Sequence, residues 1–438
     1  MESALDTGNT AWMLTASALV LLMIPGLAFF YGGMVRSKSV LNMLMMIMGA
    51  LFIVGILWVL YGYSMAFGDS YGQAGLLGNV TQYLGLEGLM VDDPEAGVPA
   101  MAFVAFQAMF ACITVGLIAG AIADRTKFSA WLIFAGIWAT IVYFPVAHWV
   151  FDLNGDNGGW IYKLGVIDFA GGTAVHINAG AAALILAIVI GRRIGWPKTP
   201  MKPHNLTLVM IGAALLWFGW FGFNAGSQIA ADNSAAVVFL NTFVATCAAG
   251  LAWLATEKIR DGHATSLGAA SGVVAGLVAI TPACSAVSPL GAIVIGAIAG
   301  VLCALAVGMK YKFGFDDSLD VVGVHLVGGL VGTLLIGFLA TEAAPAGVNG
   351  LFYGGGADQL GKQAIGAGAV LGYSLVATLI IALVIKAIIG FRIDEDEEVS
   401  GIDLAEHAES AYVLGESGGG GIFAGVGHAA RIKSEETS

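Results

Sequence analysis

Apolar stretches of about twenty residues alternate along this chain with short connectors that carry most of its charges and turn residues. A helix that crosses a bilayer needs about 20 mostly apolar residues. On that rule the pattern predicts eleven spanning helices, over 10–34, 40–66, 99–123, 129–151, 168–191, 206–230, 235–256, 265–284, 288–309, 320–341 and 364–391. Connectors are shortest after 206–230 and after 265–284, so those cuts are the least sharp. The predicted fold class is an all-α membrane protein.

Lys and Arg then orient the chain, because cytoplasmic loops carry an excess of both. One set of alternate connectors holds Arg36, Lys38, Arg125, Lys127, Arg192, Arg193, Lys198, Lys202, Lys258, Arg260, Lys310 and Lys312. The other set holds Lys163 and Lys362. The basic set is therefore expected in the cytoplasm, with the N-terminus outside and the C-terminus inside a cell membrane. The first segment follows Glu2 and Asp6 without a basic residue, so it does not read as a signal peptide and is expected to stay as helix 1.

Five predicted helices fill 1–192, a basic connector with Pro197, Pro200 and Pro203 covers 193–205, and five more fill 206–341. Five is odd, so the second half enters from the opposite side. That is the signature of two inverted five-helix repeats, with a functional site expected near the midplane between them. Helix 11, over 364–391, and a tail over 392–438 stand outside the repeat.

Composition agrees with the helix pattern and removes other classes. Hydrophobic residues make up 58% and charged residues 11%, whereas soluble domains are about a quarter charged. The 63 glycines fit close helix packing. Gly116/Gly120, Gly268/Gly272/Gly276, Gly296/Gly300 and Gly328/Gly332 each show the four-residue spacing that permits it. No phosphate-loop pattern and no basic surface for nucleic acid are present. Cys112, Cys247, Cys284 and Cys303 lie in apolar segments and read as small hydrophobes. No metal-ligand spacing occurs, so no cofactor and no enzyme activity are expected. The net charge of −12 comes mostly from the tail, where eleven acidic residues and two basic ones follow from Asp394 onward.

Two histidines, His176 and His325, stand inside the fifth helix of each half. Ionisable groups in a bilayer are costly and usually face a bundle interior or a pathway. His176 lies about eight residues from the outer end of its helix, and His325 about five from the inner end. A two-fold axis in the membrane plane would bring the two imidazoles together. The bland reading, a core histidine bonded to a carbonyl, does not account for the symmetry.

Several segments carry a resemblance. Asp168-Phe-Ala-Gly-Gly-Thr-Ala-Val-His176, Trp220-Phe-Gly-Phe-Asn-Ala-Gly-Ser227 and Asp316-Asp-Ser-Leu-Asp320-Val-Val-Gly-Val-His325 resemble the hallmark segments of the Amt/Mep/Rh ammonium transporter family, on its bacterial Amt branch. The stretch from Pro25 to Arg36 and Phe106-Gln107-Ala-Met-Phe110 are similar to it too. The resemblance implies the ammonium transporter fold and a chain that binds NH4+ in an outer vestibule, deprotonates it and conducts NH3, with net inward charge movement and with methylammonium as an analogue. It implies a homotrimer and a trimeric PII-type signal protein as cytoplasmic partner. His176 and His325 would be the linked imidazole pair of the pore. Phe110 and Phe223 would form the outer gate, with Phe106 and Gln107 beside it. Ser227 would accept a hydrogen bond from the cation. The family often has Trp in Ala-His-x-x-Trp, where this chain has Ala147-His148-Trp149-Val150-Phe151. Phe151 therefore takes the vestibule place with a weaker π face, and Trp149 points elsewhere, because residues two apart do not share a helix face.

Asp168 reads as an acid at the start of helix 5 that shapes the site through backbone and hydroxyl groups, or as a direct acceptor of the ammonium proton. Asp320 is expected to cap helix 10. His148 and His263 are expected near loops, solvated or capping, and His204 and His407 in the cytoplasm. In the tail, Gly401, Asp403, His407 and Tyr412 resemble the family's regulatory segment. The tail is expected to dock on the basic loops that hold Arg192, Arg193, Lys258, Lys310 and Lys312, and residues 415–438 are expected to be disordered. Two rival functions share the core: an electroneutral ammonia channel, and an ammonium sensor, which generally adds a signalling domain larger than the tail of about 45 residues.

Overall fold

The computed structural model describes residues 5–91 and 97–412. Among them the regular structure is helical, apart from two isolated bridges, Ser70–Gly78 and Thr126–Arg392. Among the described residues ten helices are long and apolar enough to cross a membrane, and an eleventh is apolar but shorter. In chain order they are α1 Thr7–Met34, α2 Val40–Phe67, α3 Ala100–Ile122, α4 Phe128–Phe151, α5 Gly172–Ile190, α6 Leu206–Gly226, α7 Asn233–Asp261, the shorter α8 Ser266–Ile280, α9 Pro289–Phe313, α10 Val322–Leu339 and α11 Asp358–Ile388. Two short helices follow, α12 Glu395–Ser400 and α13 Ile402–His407. The chain is a multi-pass membrane protein.

Each predicted apolar stretch overlaps one of these helices, with shifted ends. Helix α11 begins at Asp358 rather than at 364, and α5 begins at Gly172 rather than at 168. The second shift has a local cause. Gly171 takes a left-handed conformation (φ 115°), so the chain turns there and Asp168 stays outside the helix as its cap.

Small residues set the packing. A Cβ on Gly212 of α6 would fall 2.6 Å from Cα of Phe30 in α1, and one on Gly276 of α8 would fall 2.6 Å from Cβ of Ala249 in α7. Lipid tails are as apolar as the helices, so close backbone contact is a main source of association in a membrane.

The crossing of α5 and α10 is reciprocal. Gly180, four residues after His176, packs on Leu326, the residue after His325; a Cβ there would lie 2.5 Å from the Leu326 nitrogen. Gly329, four residues after His325, packs on Ile177, the residue after His176, with a Cβ 3.1 Å from its nitrogen. Both histidines lie in π-helical turns, Gly172–Ile177 and Val322–Leu326. Such turns widen the helix and are frequent at functional sites.

A buried charge network ties one end of the bundle. Arg193 forks onto both oxygens of Asp316 (2.9 and 2.9 Å) and reaches Asp124 (3.1 Å), which also meets Arg36 at 3.1 Å. Burial alone would push Asp124 up, yet the guanidinium groups of Arg193 and Arg36 hold it below the usual carboxylate range. Arg125, fully buried, donates to the carbonyls of Gly191 (2.8 Å) and Asp316 (2.7 Å) and to the Ser318 hydroxyl (2.6 Å).

The tail docks differently from the sequence expectation. Arg193 and Lys310 are occupied by Asp316 and Asp320, Arg192 donates to the Gly314 carbonyl, and Lys258 to the Gly262 carbonyl. Asp403 and Glu406 cap helices, and Glu398 pairs with Arg392, instead of meeting those cations. Asp403 accepts from the Leu41 and Asn42 N–H groups at the start of α2 (3.0 and 2.8 Å). Glu406 accepts from the Phe128 N–H of α4 (3.0 Å), and Glu398 from the Ile194 N–H (2.7 Å). Lys38 donates to the Val399 carbonyl. The physical reason is that a helix N-terminus offers unpaired N–H groups and a positive dipole end, which a carboxylate satisfies directionally. His407 bonds Asn42 (3.0 Å), Tyr412 bonds His204 (2.9 Å), and Gly401 holds a φ of 133° at the joint between α12 and α13. Residues 415–438, expected to be disordered, lie outside the described residues.

Candidate functional site

Two cavities meet the sequence-predicted residues, and a pair of stacked rings, one from each lining, stands between them. The outer one, about 710 Å³, is lined among others by Phe103, Gln107, Phe110, Phe151, Asp168 and Ser227. The inner one, about 10 Å³, has room for about one water-sized sphere. Leu27, Ile113, Leu117, Leu216, Trp220 and Phe223 line it together with His176 and His325.

Phe110 of α3 and Phe223 of α6 stack at 4.0 Å with planes 13° apart. Phe110 lines the outer cavity and Phe223 the inner one, so the stack is the partition. Phe151 meets Phe110 edge to face at 6.2 Å. Phe106 is fully buried and packs on Phe110 at 4.9 Å, but it does not line the outer cavity. It backs the gate instead of facing the vestibule, because its ring is seated against Gly226 at the end of α6. Gln107 does line the cavity, with its Oε1 buried and unpartnered. Ser227 donates its hydroxyl hydrogen to the Phe223 carbonyl (2.8 Å), which leaves the oxygen lone pairs free to accept.

His176 and His325 share a hydrogen bond between their Nδ1 atoms at 3.2 Å, with rings 5.3 Å apart. Both are buried, and the His176 Nε2 has no protein partner. One ring must donate and the other accept, so each is neutral in the simplest arrangement and a polar edge stays available in an apolar tube. Trp220 stacks on His176 at 5.4 Å, 17° from parallel. The motif that contains Trp220 does not by itself point to this contact.

Asp168 is fully engaged by the helix it caps. Its Oδ1 accepts from the Gly171 and Gly172 N–H groups (2.8 and 2.6 Å). Its Oδ2 accepts from the Thr173 N–H (2.7 Å), the Thr173 hydroxyl and the Ala174 N–H (3.3 Å). Five donors fill the roughly four lone-pair sites of the carboxylate, which leaves no free oxygen edge for an ammonium ion. Of the two readings of Asp168, the geometry favours the one in which it shapes the site.

The cap of α10 is Asp317, not Asp320. Asp317 accepts from the Val321 and Val322 N–H groups (3.1 and 2.8 Å), whereas Asp320, at a φ of 65°, pairs with Lys310 at 2.6 Å. Burial pushes Asp317 up to about 6, against the pull of Lys310 and with Asp320 adding to the rise. Asp317 precedes His325 by the same eight residues by which Asp168 precedes His176. That shared spacing was legible in the sequence and would have found it.

The remaining expectations divide. Trp149 does point away from the vestibule, donating to the Leu76 carbonyl (2.7 Å). His148 is not solvated; it is fully buried, within 3.0 Å of the Ala66 carbonyl and 2.6 Å of the Ser70 hydroxyl. It faces into the bundle because α4 runs one turn past it to Phe151. Among the described residues no group of three or more His, Cys, Asp or Glu is placed to hold a metal ion.

Known proteins share this sequence and this shape. The profile of the Ammonium Transporter Family matches residues 11–412. An ammonium transporter of Mycobacterium tuberculosis is 64% identical over 433 residues, covering 93% of this chain and 90% of the relative. One from Aquifex aeolicus is 48% identical, covering 94% and 95%. The crystal structure of Saccharomyces cerevisiae Mep2 superposes with a TM-score of 0.82 at 34% identity, covering 90% of this chain and 88% of Mep2. A structure described as a sensor Amt protein superposes at 0.84 with 30% identity, covering 91% and 98%. By sequence over nearly its whole described length, and by a fold that brings His176 against His325, the chain belongs to the ammonium transporter family.

Proposed function

We propose that this chain carries ammonium nitrogen across a cell membrane by binding NH4+ in the outer cavity, removing its proton and passing NH3 between Phe110 and Phe223 and along the histidine pair, with net inward movement of charge. The observation that carries the reading is the hydrogen-bonded His176–His325 pair in an apolar cavity behind a closed aromatic stack. An unpaired ion in a low-dielectric tube costs tens of kcal/mol in the Born limit. Ammonia carries no charge and needs only hydrogen-bond partners, which the imidazole edges supply. In the outer cavity Phe151 offers a π face, Ser227 a hydroxyl oxygen and Gln107 an amide oxygen. Asp168 positions the start of α5.

The same reading includes eleven spans, with the N-terminus outside, the C-terminus in the cytoplasm and two inverted five-helix halves. The reciprocal Gly180 and Gly329 contacts support the inversion, and the basic connectors support the orientation. It also includes a homotrimer with a pore in each subunit. A PII-type partner acts through tail residues 394–412, and 415–438 are dispensable.

Purified protein on a solid-supported membrane should give an inward current after an ammonium pulse. Nitrogen uptake without current would replace this reading by the electroneutral channel, and absence of both would overturn it. Cysteine labels at Asn79 and Thr199 should react from opposite sides of the membrane. Truncation after Ile393 should abolish inhibition by PII, and truncation after Leu414 should not.

A further inference from the structure

The lining of the outer cavity holds two charged side chains among the described residues, Asp152 and Asp168. They differ in what they have left to give. Asp168 is saturated by five donors. Asp152 follows Phe151 directly, is 5% exposed, and has a buried Oδ2 without a hydrogen-bond partner. That oxygen lies 3.4 Å from the His148 Nδ1. The same nitrogen must donate to the Ala66 carbonyl at 3.0 Å, because a carbonyl can only accept. His148 is therefore accounted for without Asp152.

An ionised carboxylate under-supplied with donors at a cavity wall is costly, and a cation entering the cavity relieves that cost. The position matters as well. Residue 151 is where this chain has Phe in place of the family's frequent Trp, so the vestibule has lost π attraction at the site adjoining Asp152.

We propose that Asp152 is an anionic binding residue for the entering ammonium ion, supplying the attraction that Phe151 gives more weakly than Trp. The inference rests on the transport reading above and adds to it the group that draws the cation in. Burial pushes Asp152 up to about 7, with Asp69 adding to the rise and the Asn154 N–H and Lys163 opposing it. The groups that bear on its charge are thus Asp69, Lys163 and His148, with Tyr63 and Asp168 on the same cavity wall. Lys163 is itself held by the carbonyls of Gln73 (2.8 Å) and Asp156 (3.1 Å). An ammonium ion beside Asp152 favours its ionised form, so binding should strengthen as outside pH rises through about 7.

The test compares ammonium currents of wild type, Asp152→Asn, Phe151→Trp and the double variant in liposomes, at outside pH 6 to 8. In wild type the apparent KM should fall across that range. Asp152→Asn should raise KM about tenfold at the upper end, flatten its pH dependence and leave the maximal current unchanged. Phe151→Trp should restore affinity in the Asn background and add less to wild type. A flat KM in wild type, an unchanged KM in Asp152→Asn, or loss of maximal current without rescue by Trp would each overturn the assignment. Should Asp152→Asn fail to reach the membrane, the wild-type pH profile still decides. Absence of ammonium current in wild type would instead overturn the transport reading itself.

Discussion

The segments that lead into α5 and into α10 use one device in two settings. Each places an aspartate eight residues before a histidine, caps its helix with that aspartate, and passes through a π turn at the histidine. Each follows the histidine, four residues on, with a glycine that accepts the partner helix. The settings differ. Asp168 borders a 710 Å³ cavity lined with aromatic rings and hydroxyls. Asp317 is almost fully buried beside Lys310 and Asp320. The shared device fixes where the imidazoles meet, and the differing surroundings give the α5 side the open cavity, the one to which the proposed function assigns the cation.

The largest effect should come from breaking the meeting point. His176→Ala and His325→Ala should each lose most ammonium current, or admit K+, in proteoliposomes, because the remaining ring keeps no linked hydrogen bond. Wild-type current and wild-type exclusion of K+ in both would make the pair a packing contact.

The glycines come next. Gly180→Ala places a Cβ 2.5 Å from a backbone nitrogen, whereas the contacts of Gly329 begin at 2.9 Å. Overpacking typically costs about 1–3 kcal/mol. Thermal unfolding in detergent should show Gly180→Ala as the more damaging of the two, and equal stability would argue that the crossing is looser than described.

The caps separate the two settings directly. Asp168→Asn and Asp317→Asn should each lower stability by about 0.5–2 kcal/mol, but the first should also weaken ammonium affinity. Asp317 adds a pH signature. Its folded value of about 6 lies above the ordinary 3.8, so the unfolded chain ionises first and stability falls as pH rises between those values. Asp317→Asn should remove that slope in a melting series.

The smallest effect concerns the tail. Asp403→Ala should cost about 0.5–2 kcal/mol at most through the lost α2 cap. It should appear as faster proteolysis after α11 with little change in maximal current. Unchanged proteolysis would mean that His407, Glu406 and Lys38 hold the tail without it.

The apolar periodicity determined the helical membrane class and where each helix lies, because a bilayer demands a long uncharged stretch whatever its neighbours are. The motif residues marked His176, His325, Phe110 and Phe223 before any geometry. Tertiary structure alone decided two other matters. It buried His148, and it left Asp152 short of donors on a cavity wall. The tail, read as a charged strip seeking basic loops, found helix N-termini instead. Sequence reports which groups carry charge. Which of them meet donors, water or each other depends on directional contacts between segments far apart in the chain, and those exist only once the helices have packed.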